Sequence, residues 1–343
     1  MKQQENSRKK KNKILFAGLV LAAGIGLMGC GSDDNKIKTI TNVSYDPTRE
    51  FYEEINPLFE KSYEEKHGEP IKVIQSHGGS GTQARSVVEG CNADVVTLAL
   101  EHDISLIERT GLIEPGWKTE FDKDSAPYTS TIVFLVRKGN EKNIHDWDDL
   151  VKPGVEVITP DPKSSGGACW NFLAALSYAK DTFQDEIKEK QFMRKLYANV
   201  SVMDSGARGS TTTFVENGKG DVLIAWENEA IAVMKNYPDT YEMITPGISI
   251  LAQPSVAVVD DNAKANQSEE AAKEYLEFLY TAEAQRKIGE NGYRPTDESI
   301  LEEFADVFDL SVKLTCIDDF GGWDKAYEEY FEDGAMFDEI YGY

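Results

Sequence analysis

Residues 155–179 read VEVITPDPKSSGGACWNFLAALSYA, and three signals follow one another there. Val155 to Thr159 reads as a strand, Ser164-Ser165-Gly166-Gly167 as a turn of small residues, and Ala168 to Ala179 as a helix with an apolar stripe. The order repeats at Ile71 to Gln75, Ser76-His77-Gly78-Gly79-Ser80-Gly81 and Thr82 to Glu89. It repeats again at Val200 to Asp204, Ser205-Gly206-Ala207-Arg208-Gly209-Ser210 and a helix near Thr211 to Glu216. A helix start leaves backbone N–H groups without partners and carries roughly half a positive charge. Small residues let an anion approach that backbone closely. Three such turns, with no enzymatic motif beside them, point to a site that holds an oxyanion by neutral donors.

Strand and helix signals alternate on either side. Lys38 to Ser44 is a strand, and Asp46-Pro47 supplies an N-cap and first-turn proline for a helix striped by Phe51, Ile55, Leu58, Phe59 and Tyr63. Ala93 to Leu100 and Tyr128 to Val136 are nearly continuous apolar runs, as in strands covered on both faces. Lys188 to Ala198 is a polar helix, and Asp221 to Ala225 is a strand ending at Trp226-Glu227-Asn228-Glu229. Tyr241 to Thr245 and Pro254 to Val259 read as strands, followed by a long helix from Ser268 to about Asn291 and a tail of aromatics and acids. The alternation predicts an α/β fold with mainly parallel sheets. Each Ser/Gly turn then lies at the carboxyl end of a strand, where open α/β sheets bind ligands.

The chain has 343 residues and a formal charge of −24. Lys9-Lys10-Lys11 and Lys13 precede an uncharged, mostly apolar run from Ile14 to Met28, and Leu27-Met28-Gly29-Cys30 matches a bacterial lipoprotein cleavage box. Residues 1–29 are therefore expected to be a signal peptide, with Cys30 lipidated and residues 30–36 a tether. Such a protein sits outside the cytoplasmic membrane and touches it only through that lipid. The leader holds six basic side chains and one acidic one, which leaves the remainder near −29. That surface repels nucleic acid and anionic lipid. It repels free oxyanions too, so an anion site here has to work through local donors. Cys91, Cys169 and Cys316 are widely spaced, with no Cys-x-x-Cys pair, and give neither a disulfide framework nor a zinc signature.

Enzyme signatures are absent from the chain. Thr82 stands where a Gly-x-Ser-x-Gly elbow needs its last glycine, and no nucleotide-phosphate loop or His-Glu-x-x-His motif occurs. The four histidines are far apart; His77 alone lies in a candidate turn, where it would act behind the ligand contacts. Trp226, at a strand end beside polar residues, suits a core aromatic or an indole N–H aimed into a cleft. Arg208 is the single basic residue within the three turns and is placed to touch a ligand or guard the opening. No catalytic residue, cofactor or metal is expected, and the protein is expected to be a monomer.

Residues 42–50 (NVSYDPTRE), Gln75 to Gly81, Ala93 to Ala99, Ser125 to Thr131, Pro162 to Ala168, Asp204 to Ser210, Gly220 to Glu229 and Phe320-Gly321-Gly322-Trp323 resemble the sulfate-binding proteins of bacterial ABC importers. The resemblance covers residues 37 to 343. It implies a two-lobed periplasmic-binding-protein fold of type II, closing over sulfate and handing it to an ABC permease. It further implies a first lobe from residues 37–125, a second from 126–245, and a return to the first lobe with a tail over 246–343. The implied donors are Ser80, Ser165, Gly166, Gly167, Ala207 and the indole of Trp226, with Ser165 giving both N–H and hydroxyl. Asp46 matches a position that organises those donors. Thiosulfate binders of the same fold are the alternative; they tend to lack the tryptophan and the second glycine, and both are present here.

Overall fold

Residues 37–342 are described by the computed structural model. The basic leader, Cys30 and the tether lie outside the described residues. The first half of the fold is β1 (Lys38–Tyr45), α1 (Arg49–His67), β2 (Ile71–Gly78), α2 (Ser80–Val88), β3 (Val95–Leu98) and α3 (Glu101–Glu108). A short turn, α4 (Asp122–Ser125), and the two-residue β4 (Tyr128–Thr129) lead onward. The second half holds β5 (Ile132–Arg137), β6 (Val157–Pro160), α5 (Gly166–Phe183), α6 (Glu186–Ala198), β7 (Val200–Asp204), α7 (Ala207–Val215), β8 (Val222–Trp226), α8 (Glu227–Asn236) and β9 (Tyr241–Ile244). Then come β10 (Ile248–Ile250), β11 (Ser255–Val258), α9 (Asp260–Asn266), α10 (Glu269–Phe278), α11 (Ala282–Glu290), β12 (Arg294–Pro295) and α12 (Glu298–Glu303). The chain finishes with β13 (Lys313–Thr315), α13 (Trp323–Tyr330) and α14 (Met336–Tyr341).

Two large sheets result, in the orders β11-β3-β1-β2 and β7-β6-β8-β5-β9, beside the two-stranded pairs β10-β13 and β12-β4. In the first, β1 is parallel to both neighbours and β11 opposes β3. In the second, β7, β6, β8 and β9 share one direction and β5 opposes them. The two reversed strands are the two that the chain delivers by crossing between lobes. This is the two-lobed α/β architecture anticipated from the sequence. β3 and β8 are buried along their whole length, as strands covered on both faces must be. α1 lays Phe51, Tyr52, Ile55, Phe59 and Tyr63 on the first sheet, with Leu58 half-buried against the same cluster.

Two local readings need correction. The helix anticipated over Ser268 to Asn291 is two helices, because Thr281 accepts the Ala284 N–H and caps a new start. The apolar run Tyr128 to Val136 breaks at Ser130-Thr131, where the chain leaves β4 for β5. The tail keeps contact with the first lobe, through Tyr327 of α13 stacked on His102 of α3, and also reaches the second. β13 pairs with β10, and Phe337 packs edge-on against Phe172 of α5 and Tyr197 of α6. The cause is α5, which is apolar almost all round and so needs cover on every face.

Candidate functional site

Four strand ends deliver the pieces of the site. β2 runs into α2 at Ser80, β6 into α5 after Ser165, β7 into α7 at Ala207, and β8 ends at Trp226, the residue before α8. The starts of α2 and α5 come from different lobes and press together. A Cβ built on Gly166 would lie 3.1 Å from the Ser80 Cβ and 3.0 Å from Leu100 Cγ, so any side chain there would push these neighbours back by a few tenths of an ångström. The turns before α5 and α7 also touch, through Ser164 Oγ donating to the Ser205 carbonyl at 3.0 Å. Ala207 and Trp226 line one cavity of about 10 Å³ with Ser210, Thr211 and Glu229. Thr211 and Glu229 also line a cleft of about 360 Å³ between α1 and α7, so that cleft opens onto the start of α7.

Within each first helical turn, some backbone donors have no partner among the described residues. The first N–H groups of α2 (Ser80), α5 (Gly166, Gly167) and α7 (Ala207) are in that state. Other donors named from the sequence are already spent. Ser165 gives its N–H to the Asp161 carbonyl at 2.9 Å, leaving its hydroxyl as the group on offer. Ser80 is the reverse: its hydroxyl donates to Asp103 Oδ2 at 2.5 Å and accepts the Ala99 N–H at 2.9 Å. The Trp226 indole donates to the Gly167 carbonyl at 3.1 Å. As an anion donor, that indole has to share its hydrogen or release the carbonyl. Gly167 has no Cβ to obstruct it; one would stand 3.2 Å from Trp226 Nε1.

The sequence also named three supporting residues, Asp46, Arg208 and His77. Asp46 is not the N-cap of α1; that position falls to Thr48, and Asp46 opens the short 3-10 turn before it and pairs with Arg49 at 3.3 Å. Arg208 clasps Glu50 of α1 through two bonds of 2.7 and 2.8 Å, tying the lobes together. His77 ends β2 with Nδ1 buried and unpartnered. Burial, and then the charge of Arg49, hold its pKa below the ordinary histidine value, so it adds no positive charge at neutral pH.

Two acidic groups went unrecognised in the sequence. Asp103, in the first turn of α3, is buried behind Ser80, and burial pushes its carboxyl up to about 6. Glu227, just after Trp226, forms a fully buried two-bond pair with Arg294 of β12 at 2.6 and 2.8 Å. The available signal was an acid at a strand-to-helix junction, as in Glu101-His102-Asp103 and Trp226-Glu227. In a chain with 60 acidic residues that signal does not stand out. Cys169 packs behind the same turn, its thiol 3.4 Å from the Pro162 carbonyl, and Cys91, Cys169 and Cys316 are all free.

The arrangement offers an anion uncharged donors from several helix starts. Three neighbouring cations are occupied elsewhere, Arg208 by Glu50, Arg49 by Asp46 and Lys163 by Asp338, while Arg85 of α2 donates to Thr82 Oγ1 at 3.4 Å.

Comparison with known proteins gives the family. The chain is 52% identical over 303 residues to the sulfate-binding protein of Escherichia coli strain K12, covering 88% of this chain and 92% of that one. It is 41% identical over 331 residues to the thiosulfate-binding protein of Pseudomonas aeruginosa, covering 96% and 99%. The solved structure of the sulfate-binding protein SubI from Mycobacterium tuberculosis H37Rv superposes with a TM-score of 0.78 at 35% identity, covering 86% of this chain and all of that one. Residues 40–294 match the profile of the bacterial extracellular solute-binding proteins, and the chain belongs to that family.

Proposed function

We propose that this protein captures sulfate outside the cytoplasmic membrane and delivers it to the permease of an ABC importer, without enzymatic turnover. The observation that carries the reading is the meeting of open N–H groups from α2, α5 and α7, with Arg208, Arg49 and Lys163 paired away. Sulfate is fully ionised at neutral pH and presents acceptors alone, so donors alone satisfy it. Hydrogen bonds to a charged group are worth about 1.5–3 kcal/mol each, and several together offset a large dehydration cost. Hydrogen phosphate carries an O–H that would face another donor, a mismatch that leaves buried polar groups unpaired. Closure of the lobes over the ion, secured by the Arg208–Glu50 clasp, would present the permease with a distinct shape. Lipidation at Cys30 would hold the receptor beside that permease.

Isothermal titration of the purified protein with sulfate, thiosulfate, molybdate and hydrogen phosphate tests the proposal. Saturable sulfate binding is expected, with hydrogen phosphate weaker by at least about a hundredfold. No binding of any tetrahedral oxyanion would remove the reading. Thiosulfate is the second reading, favoured by the near full-length match to a thiosulfate-binding relative. Tighter binding of thiosulfate than of sulfate would put it first.

A further inference from the structure

Lys163 stands two residues before Ser165, and its ammonium has an unusual set of partners at the far end of the sequence. Nζ donates to the carbonyls of Phe331 at 2.9 Å and Glu332 at 3.0 Å, which follow the last turn of α13. It also pairs with Asp338 of α14 at 2.9 Å and reaches Asp333 at 3.4 Å. A cation at a helix C-terminus answers the carbonyls that the helix leaves open. Asp338 is fixed from its other side by the Gly334 N–H at 2.6 Å. Bonds from that N–H and from Lys163 hold its carboxyl below the usual range.

The tail that holds Lys163 is itself anchored on both lobes. Trp323 meets Trp170 of α5 edge-on at 4.7 Å, and the Trp170 indole donates to the Ala99 carbonyl at 2.8 Å, behind Ser80. Tyr327 stacks on His102 of α3 at 3.9 Å, and Asp324 pairs with Arg109 of α3 at 2.9 Å. Phe337 lies against Phe172 and Tyr197.

We infer that Lys163 is a positioning residue: it ties the Ser164–Gly167 turn to the C-terminal segment, and so sets where the Ser165 hydroxyl and the Gly166 and Gly167 N–H groups point. The same bonds draw its own charge away from the donors. On the near side, the turn is fixed by Asp161, which accepts the N–H groups of Lys163, Ser164 and Ser165. On the far side, Lys163 supplies the anchor. Without it the turn would have to be ordered by the ligand, at a cost to affinity.

This inference rests on the sulfate reading for its binding arm, and the test separates the two. Sulfate is titrated into wild type, Lys163→Met, Lys163→Arg and Asp338→Asn, each with a melting curve and an amide NMR spectrum. Lys163→Met is expected to weaken sulfate about tenfold. It should also shift or broaden the Gly166 and Gly167 amides while leaving the amides of α2 in place. Lys163→Arg keeps the charge and the donors and should stay within about threefold of wild type. Asp338→Asn should fall between them. If Lys163→Met fails to fold, Asp338→Asn decides. Unchanged sulfate affinity in both variants overturns the inference. Failure of wild type to bind sulfate overturns the functional reading instead, and the Gly166 and Gly167 amides then judge Lys163 alone.

Discussion

Ser80 and Ser165 occupy matching points of the two lobes, each at the junction of a strand and a helix, and the fold uses them in opposite ways. The Ser80 hydroxyl is saturated by Asp103 and Ala99, while its N–H heads α2 unpartnered. The Ser165 N–H is taken by Asp161, while its hydroxyl has no partner among the described residues. One serine therefore locks the site together through its side chain and offers backbone; the other locks through backbone and offers side chain. The same residue in the same local pattern leaves different atoms free, because the partners come from different parts of the chain.

The contrast breaks most readily at Asp103. Its pKa of about 6 lies above the ordinary 3.8, so between those values the folded protein keeps a proton that the unfolded chain has released. The stability it contributes is fully present below about pH 4 and falls by up to about 3 kcal/mol as pH rises to 6. Asp149, Glu274 and Asp338, held low, act in the opposite sense at lower pH, so the effect is read as a difference. Urea unfolding of wild type and Asp103→Asn at several pH values should show the variant without this loss. Parallel profiles would remove Asp103 from the account.

Ser165→Ala should weaken sulfate binding by about 1.5–3 kcal/mol, the worth of one hydrogen bond to a charged ligand. Its unfolding free energy should stay within roughly 0.5 kcal/mol of wild type. Calorimetry and denaturation on the same preparation check both halves. Ser80→Ala should give the mirror result. It strips partners from the Asp103 carboxylate and the Ala99 N–H, costing about 1–2 kcal/mol of stability, with a smaller change in sulfate affinity than Ser165→Ala. A larger affinity loss from Ser80→Ala would reverse the assignment of the two hydroxyls. The smallest effect belongs to Trp226→Phe, about 1 kcal/mol in sulfate affinity, since that N–H already has the Gly167 carbonyl. No change would take the indole out of the site.

Much of the fold was legible from local pattern. The long buried strands and the striped helix α1 announced themselves because apolar spacing is set by which faces are covered. The starts of α2, α5 and α7 were found within a few residues, since small residues before an apolar stripe mark a helix entrance. The split at Thr281 was missed because the apolar stripe continues across it, and a single threonine cap is a weak signal against that periodicity. Glu227 and Arg294 are 67 residues apart, and nothing in either neighbourhood announces the other. The tail's aromatics show only that it must be covered, not by which lobe.

By itself, the sequence determined that strands feed glycine- and serine-rich helix starts, and that a strongly acidic chain would have to hold an anion by neutral donors. Those are properties of neighbouring residues and of summed charge. Only the tertiary structure decided which N–H and O–H groups stay unpartnered, that Arg208 faces Glu50, and that Lys163 reaches the tail. A polar group is free only when no distant residue claims it, and that competition is settled when the lobes and the tail pack together.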